Sequence, residues 1–150
     1  MKVRKAKVGD VPVMHKMINS YASKKLMLSK ALSDIYDHLQ DFSVVEEKGK
    51  VAGCCALHIT WEDLAEIRSL AVNPKYKNRG FGVALLDTCH EEAKKLGVKK
   101  VFALTLIPEF FKKYGYKQVS RDTLPHKVWT ECIKCPIFPD CNEVPLTKQL

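Results

Sequence analysis

Glu66-Ile67-Arg68-Ser69-Leu70-Ala71-Val72-Asn73-Pro74-Lys75-Tyr76-Lys77-Asn78-Arg79-Gly80-Phe81-Gly82 decides the fold. Residues 66–72 read as a strand, 73–79 as a short basic turn, and Gly80-Phe81-Gly82 as the opening of a helix. Free backbone N–H groups and the positive end of a helix dipole both favour an anion at such a point. Lys77 and Arg79 add Coulomb attraction, and a carboxylate, Glu66, rides on the strand that feeds the turn. Phosphate cradle and carboxylate together point to an enzyme with a phosphate-bearing cofactor.

The rest of the chain sets the frame. Its 150 residues suffice for one domain that buries about two thirds of its unfolded surface. Hydrophobic residues make up 46% and charged ones 28%, which is ordinary for a soluble globular protein. A formal charge of +8 favours an anionic partner, but the basic residues are scattered rather than gathered in a run. No nucleic-acid recognition motif accompanies them. The N-terminus lacks the apolar core of a signal peptide, and no apolar stretch is long enough for a membrane span. Six cysteines in such a chain read as reduced thiols or metal ligands, in a cytoplasmic protein.

Periodicity supplies the elements. A strand over 2–6 precedes a helix from Asp10 to about Ala22, capped by Asp10, with Pro12 in its first turn and Val13, Met17 and Tyr21 on its inner face. A second helix covers 29–39, with Leu32, Ile35, Tyr36 and Leu39 at helical spacing. Strands follow at 42–47, 51–59 and 65–72. The helix from Gly80 carries apolar or small residues at 82, 86, 89, 93 and 96, and Gly97 ends it. A strand at 100–106, a short helix at 108–114, a strand at 116–120 and a last strand at 144–150 complete an α/β (α+β) chain.

This order resembles the GNAT superfamily of N-acetyltransferases. The superfamily's Gln/Arg-x-x-Gly-x-Gly/Ala signature stands here as Lys77-Asn78-Arg79-Gly80-Phe81-Gly82, with Lys at its first position. Leu70-Ala71-Val72-Asn73-Pro74 precedes it, and Phe110-Phe111-Lys112-Lys113-Tyr114-Gly115-Tyr116 resembles the second cofactor motif. The resemblance implies a mixed, mostly antiparallel, twisted sheet of six to seven strands flanked by about four helices, with residues 121–150 as an extension of one domain. Within the superfamily the chain is similar to the acetyltransferase domain of N-acetylglutamate synthases, above all the short stand-alone type. That likeness is carried by residues 54–58, 61–72 and 102–105 and by Leu124-Pro125-His126-Lys127-Val128-Trp129 with the cysteines after it.

Residue roles follow from the resemblance. Acetyl-CoA is the implied donor, held by Leu70, Ala71, Val72, Lys77, Asn78, Arg79, Gly80, Phe81, Gly82 and Val83. A backbone N–H near Leu70 would polarise the thioester, beside a bulge that splays this strand from the next. Glu66 takes the place of the general base, with an ion pair to Arg68 on an edge strand as its other reading. Strand alternation puts Glu66, Arg68 and Leu70 on one face and Ile67, Ser69 and Ala71 on the other. Phe111 stands where the superfamily usually has a tyrosine acid, and Tyr114 and Tyr116 read as packing residues. The implied acceptor is the α-amine of glutamate, with Arg68 and then Lys127 as carboxylate partners and Lys24 and Lys25 as further cations. Other small or protein amines, and non-catalytic acyl-CoA binding, are the alternatives.

The tail cysteines Cys132, Cys135 and Cys141 read as reduced thiols or as ligands completed by His126, Cys54 or Cys55, and no metal is assigned. His15, His38, His58 and His90 read as structural. No membrane or nucleic-acid partner is expected, and the superfamily resemblance allows a homodimer.

Overall fold

A computed structural model describes residues 1–125, 128 and 143–150. Its centre is a seven-stranded sheet in the order β1-β2-β3-β4-β5-β7-β6. The strands are β1 (Lys2–Lys5), β2 (Phe42–Glu47), β3 (Lys50–Trp61), β4 (Leu64–Val72), β5 (Lys100–Thr105), β6 (Lys117–Gln118) and β7 (Val144–Gln149). Every pairing is antiparallel except β4 with β5. That one parallel pair needs a crossover, and the helix α3 (Phe81–Lys95) supplies it. Further helices among the described residues include α1 (Val11–Ser23), α2 (Leu32–Asp37) and α4 (Pro108–Lys113).

Both faces of the sheet are buried. On one, Ala65 and Ile67 of β4 pack with Leu85, Leu86, Cys89 and Ala93 of α3. On the other, Val44, Cys54, Ala56 and Ala71 meet Val11, Met14, Met17 and Ile18 of α1 and Ile35 of α2.

Several local expectations shift. The inner stripe of α1 is Val11, Met14, Met17 and Ile18, whereas Val13 is 48% exposed. Asp10 precedes that helix but makes no side-chain cap for it. Its carboxylate instead accepts the Lys7 N–H at 2.8 Å and the Arg4 guanidinium. The second helix shrinks to Leu32–Asp37 and buries Ile35 alone. Leu32 and Tyr36 stay exposed, because a short 3-10 turn at Leu39–Asp41 redirects the chain into β2. β3 runs on through Trp61 to a tight hairpin, so β4 begins at Leu64. Leu96 lies at the C-terminal end of α3 and faces solvent. β6 keeps only Lys117–Gln118 of the expected strand, and Tyr116 instead turns into the core. No helix among the described residues is long and apolar enough to cross a membrane.

Candidate active site

The parallel pair opens where the chemistry would sit. β4 and β5 pair only through residues 64–67 and 100–103. Beyond that, β4 follows β3 as far as Val72, and β5 follows β7 as far as Thr105. The two strands therefore diverge at their C-terminal ends and leave an edge of β4 unpaired. Unpaired strand amides need partners, and an extended, amide-bearing ligand can supply them.

A bulge accompanies the split. Cys54 stands opposite Ala71 and Ala56 opposite Arg68, so Cys55 faces both Ser69 and Leu70. Ser69 takes a left-handed backbone, φ 53°. The extra residue reverses the alternation that simple period-two reading extrapolates. Leu70 thus joins the α3 face with Ile67, while Ala71 joins the opposite face. The expectation that Leu70 shares a face with Glu66 and Arg68 is corrected accordingly.

β4 then delivers the chain to the helix start. Asn73 accepts the Lys75 N–H in a short 3-10 turn at Pro74–Tyr76. Asn78 and Gly80 both adopt positive φ, 63° and 83°. The ring of Tyr76 stacks on Phe81, with the Lys75 and Arg79 cations over its face. Gly80 gives α3 no side-chain cap, and its first turn holds no acidic residue. The first bond of the helix runs from Ala84 N–H to Gly80 C=O at 3.0 Å, which leaves the N–H groups of Phe81, Gly82 and Val83 ahead of it. An uncapped helix start beside Lys77 and Arg79 fits a pyrophosphate. Phe81 itself is buried in the core, so only its backbone can serve an anion. A Cβ on Gly82 would make ordinary van der Waals contact with the Phe110 ring at 3.4 Å and with Val72 at 3.8 Å, so α4 packs closely on the start of α3. Tyr21 donates its hydroxyl to the Val72 carbonyl and ties α1 to the end of β4.

Glu66 and Arg68 lie on the opposite face of β4. Arg68 Nε donates to Glu66 Oε1 at 2.7 Å, and both side chains are largely shielded from solvent. They form the ion pair that was one reading of the sequence, but on a central strand rather than an edge. Such a pair favours the ionised carboxylate and fixes its orientation. Beside Arg68 and Ser69 a small cleft is lined by Lys30, Asp34, Ile35, His38, Asp41 and Phe42. His58, directly across from Glu66 on β3, bonds through Nδ1 to Asp41 Oδ2 at 2.8 Å. The His38 ring stands edge-on to His58, with centroids 5.6 Å apart.

The sequence reading missed this cluster. His58 and Asp41 are 17 residues apart, and only the β2–β3 register unites them. One signal was available: β3 is apolar from Ala52 to Leu57, and a histidine next in line marks where that face turns polar. Lys30 lines the cleft, whereas the expected cations Lys24 and Lys25 are exposed on the preceding loop. Lys127, His126, Cys132, Cys135 and Cys141 lie outside the described residues.

Phe111 is buried and meets the Tyr116 ring edge-on. Tyr116 is spent on a buried contact with His90, 2.6 Å from hydroxyl to Nε2. Tyr114 packs against Phe110, and its carbonyl accepts from Lys148. Cys54 and Cys55 are fully buried on opposite faces. Burial pushes the Cys54 thiol up to about 12, and Cys55 is raised as well, its thiol beside Cys89.

A splayed parallel pair, a bulged strand and an uncapped, basic helix start together define an acyl-CoA-binding transferase. The model of the Acetyltransferase (GNAT) family matches residues 14–116, and the chain belongs to that family. It is an N-acetyltransferase that uses acetyl-CoA. It is 38% identical over 148 residues to an uncharacterized N-acetyltransferase of Chlorobaculum tepidum, covering 99% of this chain and 96% of that one. It is also 38% identical over 132 residues to an amino-acid acetyltransferase of Mycobacterium tuberculosis, covering 86% and 75%. Among solved structures, N-acetylglutamate synthase of Neisseria gonorrhoeae, complexed with coenzyme A and N-acetyl-glutamate, superposes with a TM-score of 0.91 at 28% identity. That match covers 99% of this chain but only 35% of the synthase.

Proposed function

We propose that the chain acetylates the α-amine of L-glutamate, the entry step of arginine biosynthesis, by direct attack of the amine on the acetyl-CoA thioester. The observation that supports this reading is the shielded Glu66–Arg68 ion pair beside the cleft, a carboxylate suited to take a proton next to a cation suited to a carboxylate. The amino-acid acetyltransferase named above and the synthase bearing N-acetyl-glutamate support the acceptor.

Acetyl-CoA brings the acetyl group as a thioester. Lys77, Asn78, Arg79, Gly80, Phe81, Gly82 and Val83 are proposed to hold its pyrophosphate. The open edge at Leu70, Ala71 and Val72 is proposed to hold its amide-bearing arm and to stabilise the developing oxyanion. Glu66 takes the ammonium proton, which gives the nucleophile its lone pair. Arg68, whose Nε donates to Glu66, is proposed as the cation for the acceptor carboxylate. Lys30 and Lys127 are proposed as further cations for the second carboxylate. Solvent protonates the leaving thiolate, whose conjugate acid has a pKa of about 8.5.

Release of free CoA from acetyl-CoA, measured with each amino acid in turn and followed by product mass, tests the acceptor. L-glutamate is expected to give the highest kcat/KM and N-acetylglutamate as product. Turnover of another amine with none of glutamate contradicts the assignment.

A further inference from the structure

Lys30 reaches the cleft from a loop, and a loop by itself places a side chain less closely than a helix or strand does. The chain leaves α1 after Ser23, turns through Lys25 with a left-handed backbone (φ 60°) and enters α2 only at Leu32. Within that loop the backbone of Lys30 is held at both of its polar groups, and the side chain of Asn19 on α1 holds it.

The Asn19 carboxamide makes three contacts. Its nitrogen donates to the Lys30 carbonyl at 3.0 Å and, one turn back on its own helix, to the His15 carbonyl at 2.9 Å. Its oxygen accepts the Lys30 N–H at 3.1 Å. Two carbonyls on one side and an N–H on the other fit a single orientation of the amide. The helix that carries this clip is itself anchored. It buries Val11, Met14, Met17 and Ile18, and Tyr21 ties it to the Val72 carbonyl at the end of β4. Lys30 is partly buried between exposed Ser29 and Ala31, whereas Lys24 and Lys25 of the same loop are exposed.

We propose that Asn19 is a positioning residue for the acceptor: by clipping the Lys30 backbone it sets the Lys30 ammonium against the side-chain carboxylate of a dicarboxylic amino acid. The division of labour follows from the acceptor's chemistry. Its amine and α-carboxylate share one carbon, so a base at Glu66 brings the α-carboxylate towards Arg68, to which Glu66 is bonded. The second carboxylate lies a side chain away and needs a cation on another element, which Lys30 supplies from the loop before α2. The proposal rests on the glutamate reading and adds the residue that makes the cleft selective for a second negative charge.

Asn19→Ala and Lys30→Met, made singly and together, test it by CoA release with L-glutamate and with L-glutamine, which is equally long but lacks the second charge. Lys30→Met should raise KM for L-glutamate about tenfold or more, the loss of one charge-assisted contact. Asn19→Ala should raise it about threefold or more, the cost of ordering a loosened loop, while kcat and KM for acetyl-CoA stay within about twofold. The preference for L-glutamate over L-glutamine, as a ratio of kcat/KM, should fall in both. Because Asn19 acts through Lys30, the double variant should be no worse than Lys30→Met. An amide that only stabilised the fold would lower the melting temperature and leave that ratio unmoved. Unchanged KM for L-glutamate in Asn19→Ala, or losses in the two single variants that multiply in the double, overturns the proposal. Asn19→Asp keeps the acceptor for the Lys30 N–H, loses both donors and gives the same readout should Asn19→Ala fold poorly. Wild type with no preference for L-glutamate contradicts the glutamate reading and the clip together; a preference that survives both substitutions defeats the clip alone.

Discussion

His90 and Tyr116 meet inside the core, and their protonation states follow from burial. Desolvation is the main cause holding His90 down to about 4, with Lys148 adding to it, and desolvation holds the Tyr116 phenol well above its ordinary value. At neutral pH the hydroxyl therefore donates to a neutral Nε2. The unfolded chain binds the His90 proton first, so the fold loses stability as pH falls from about 6.5 towards 4 and the loss then levels off. The ceiling is about 3 kcal/mol. Asp10, whose pKa is lowered chiefly by its hydrogen bonds to Arg4, acts in the same direction below the ordinary carboxylate range. Thermal melts between pH 7 and 4 are expected to show this decline, and His90→Gln should flatten its upper part. An equal decline in the variant contradicts the assignment. Burial of a single histidine was legible as a structural role, but its partner lies 26 residues away and only tertiary packing brings them together.

Among the elements, β4 and the helix start it feeds were legible only in part. Its glycine-led helix start and its charged residues were readable because glycines and charges interrupt an apolar pattern. The bulge was expected from family resemblance, but Leu70 was still placed by unbroken alternation, since nothing in Arg68-Ser69-Leu70 marks an extra residue. Close approach behind the bulge is set by Gly53 on β3. A Cβ there would stand 3.0 Å from the Ala71 carbonyl oxygen and 3.1 Å from both Leu85 and Val45. The carbonyl belongs to the sheet and cannot yield as a flexible side chain would. Gly53→Ala is expected to cost about 1–3 kcal/mol. Urea unfolding would show it as a lower midpoint with an unchanged slope, and an unshifted midpoint contradicts the packing described. Ser69→Val, a β-branched residue at positive φ, should destabilise as well, whereas Ser69→Gly should not.

At the scale of the molecule, hydrophobic runs and turn residues made the strands legible, and family resemblance supplied the type of sheet. The insertion of β7 between β5 and β6 was not readable, because a last strand can close on any open edge. The proposed site was partly legible: Glu66 and Arg68 were read on β4, and Lys77 to Val83 at the turn and helix start that follow it. The His58–Asp41–His38 cluster was not, since it depends on how three separate segments align. The proposed function makes one demand, that the shielded Glu66 carboxylate removes the acceptor's proton while acetyl-CoA lies at the open edge of β4. The most direct measurement compares wild type with Glu66→Gln in a CoA-release assay using acetyl-CoA and L-glutamate, with product mass read from the same mixture. Wild type should form N-acetylglutamate and free CoA in equal amounts, and Glu66→Gln, still folded, should lose at least about a hundredfold in kcat. Full activity in Glu66→Gln, or CoA release by wild type without N-acetylglutamate, would contradict it.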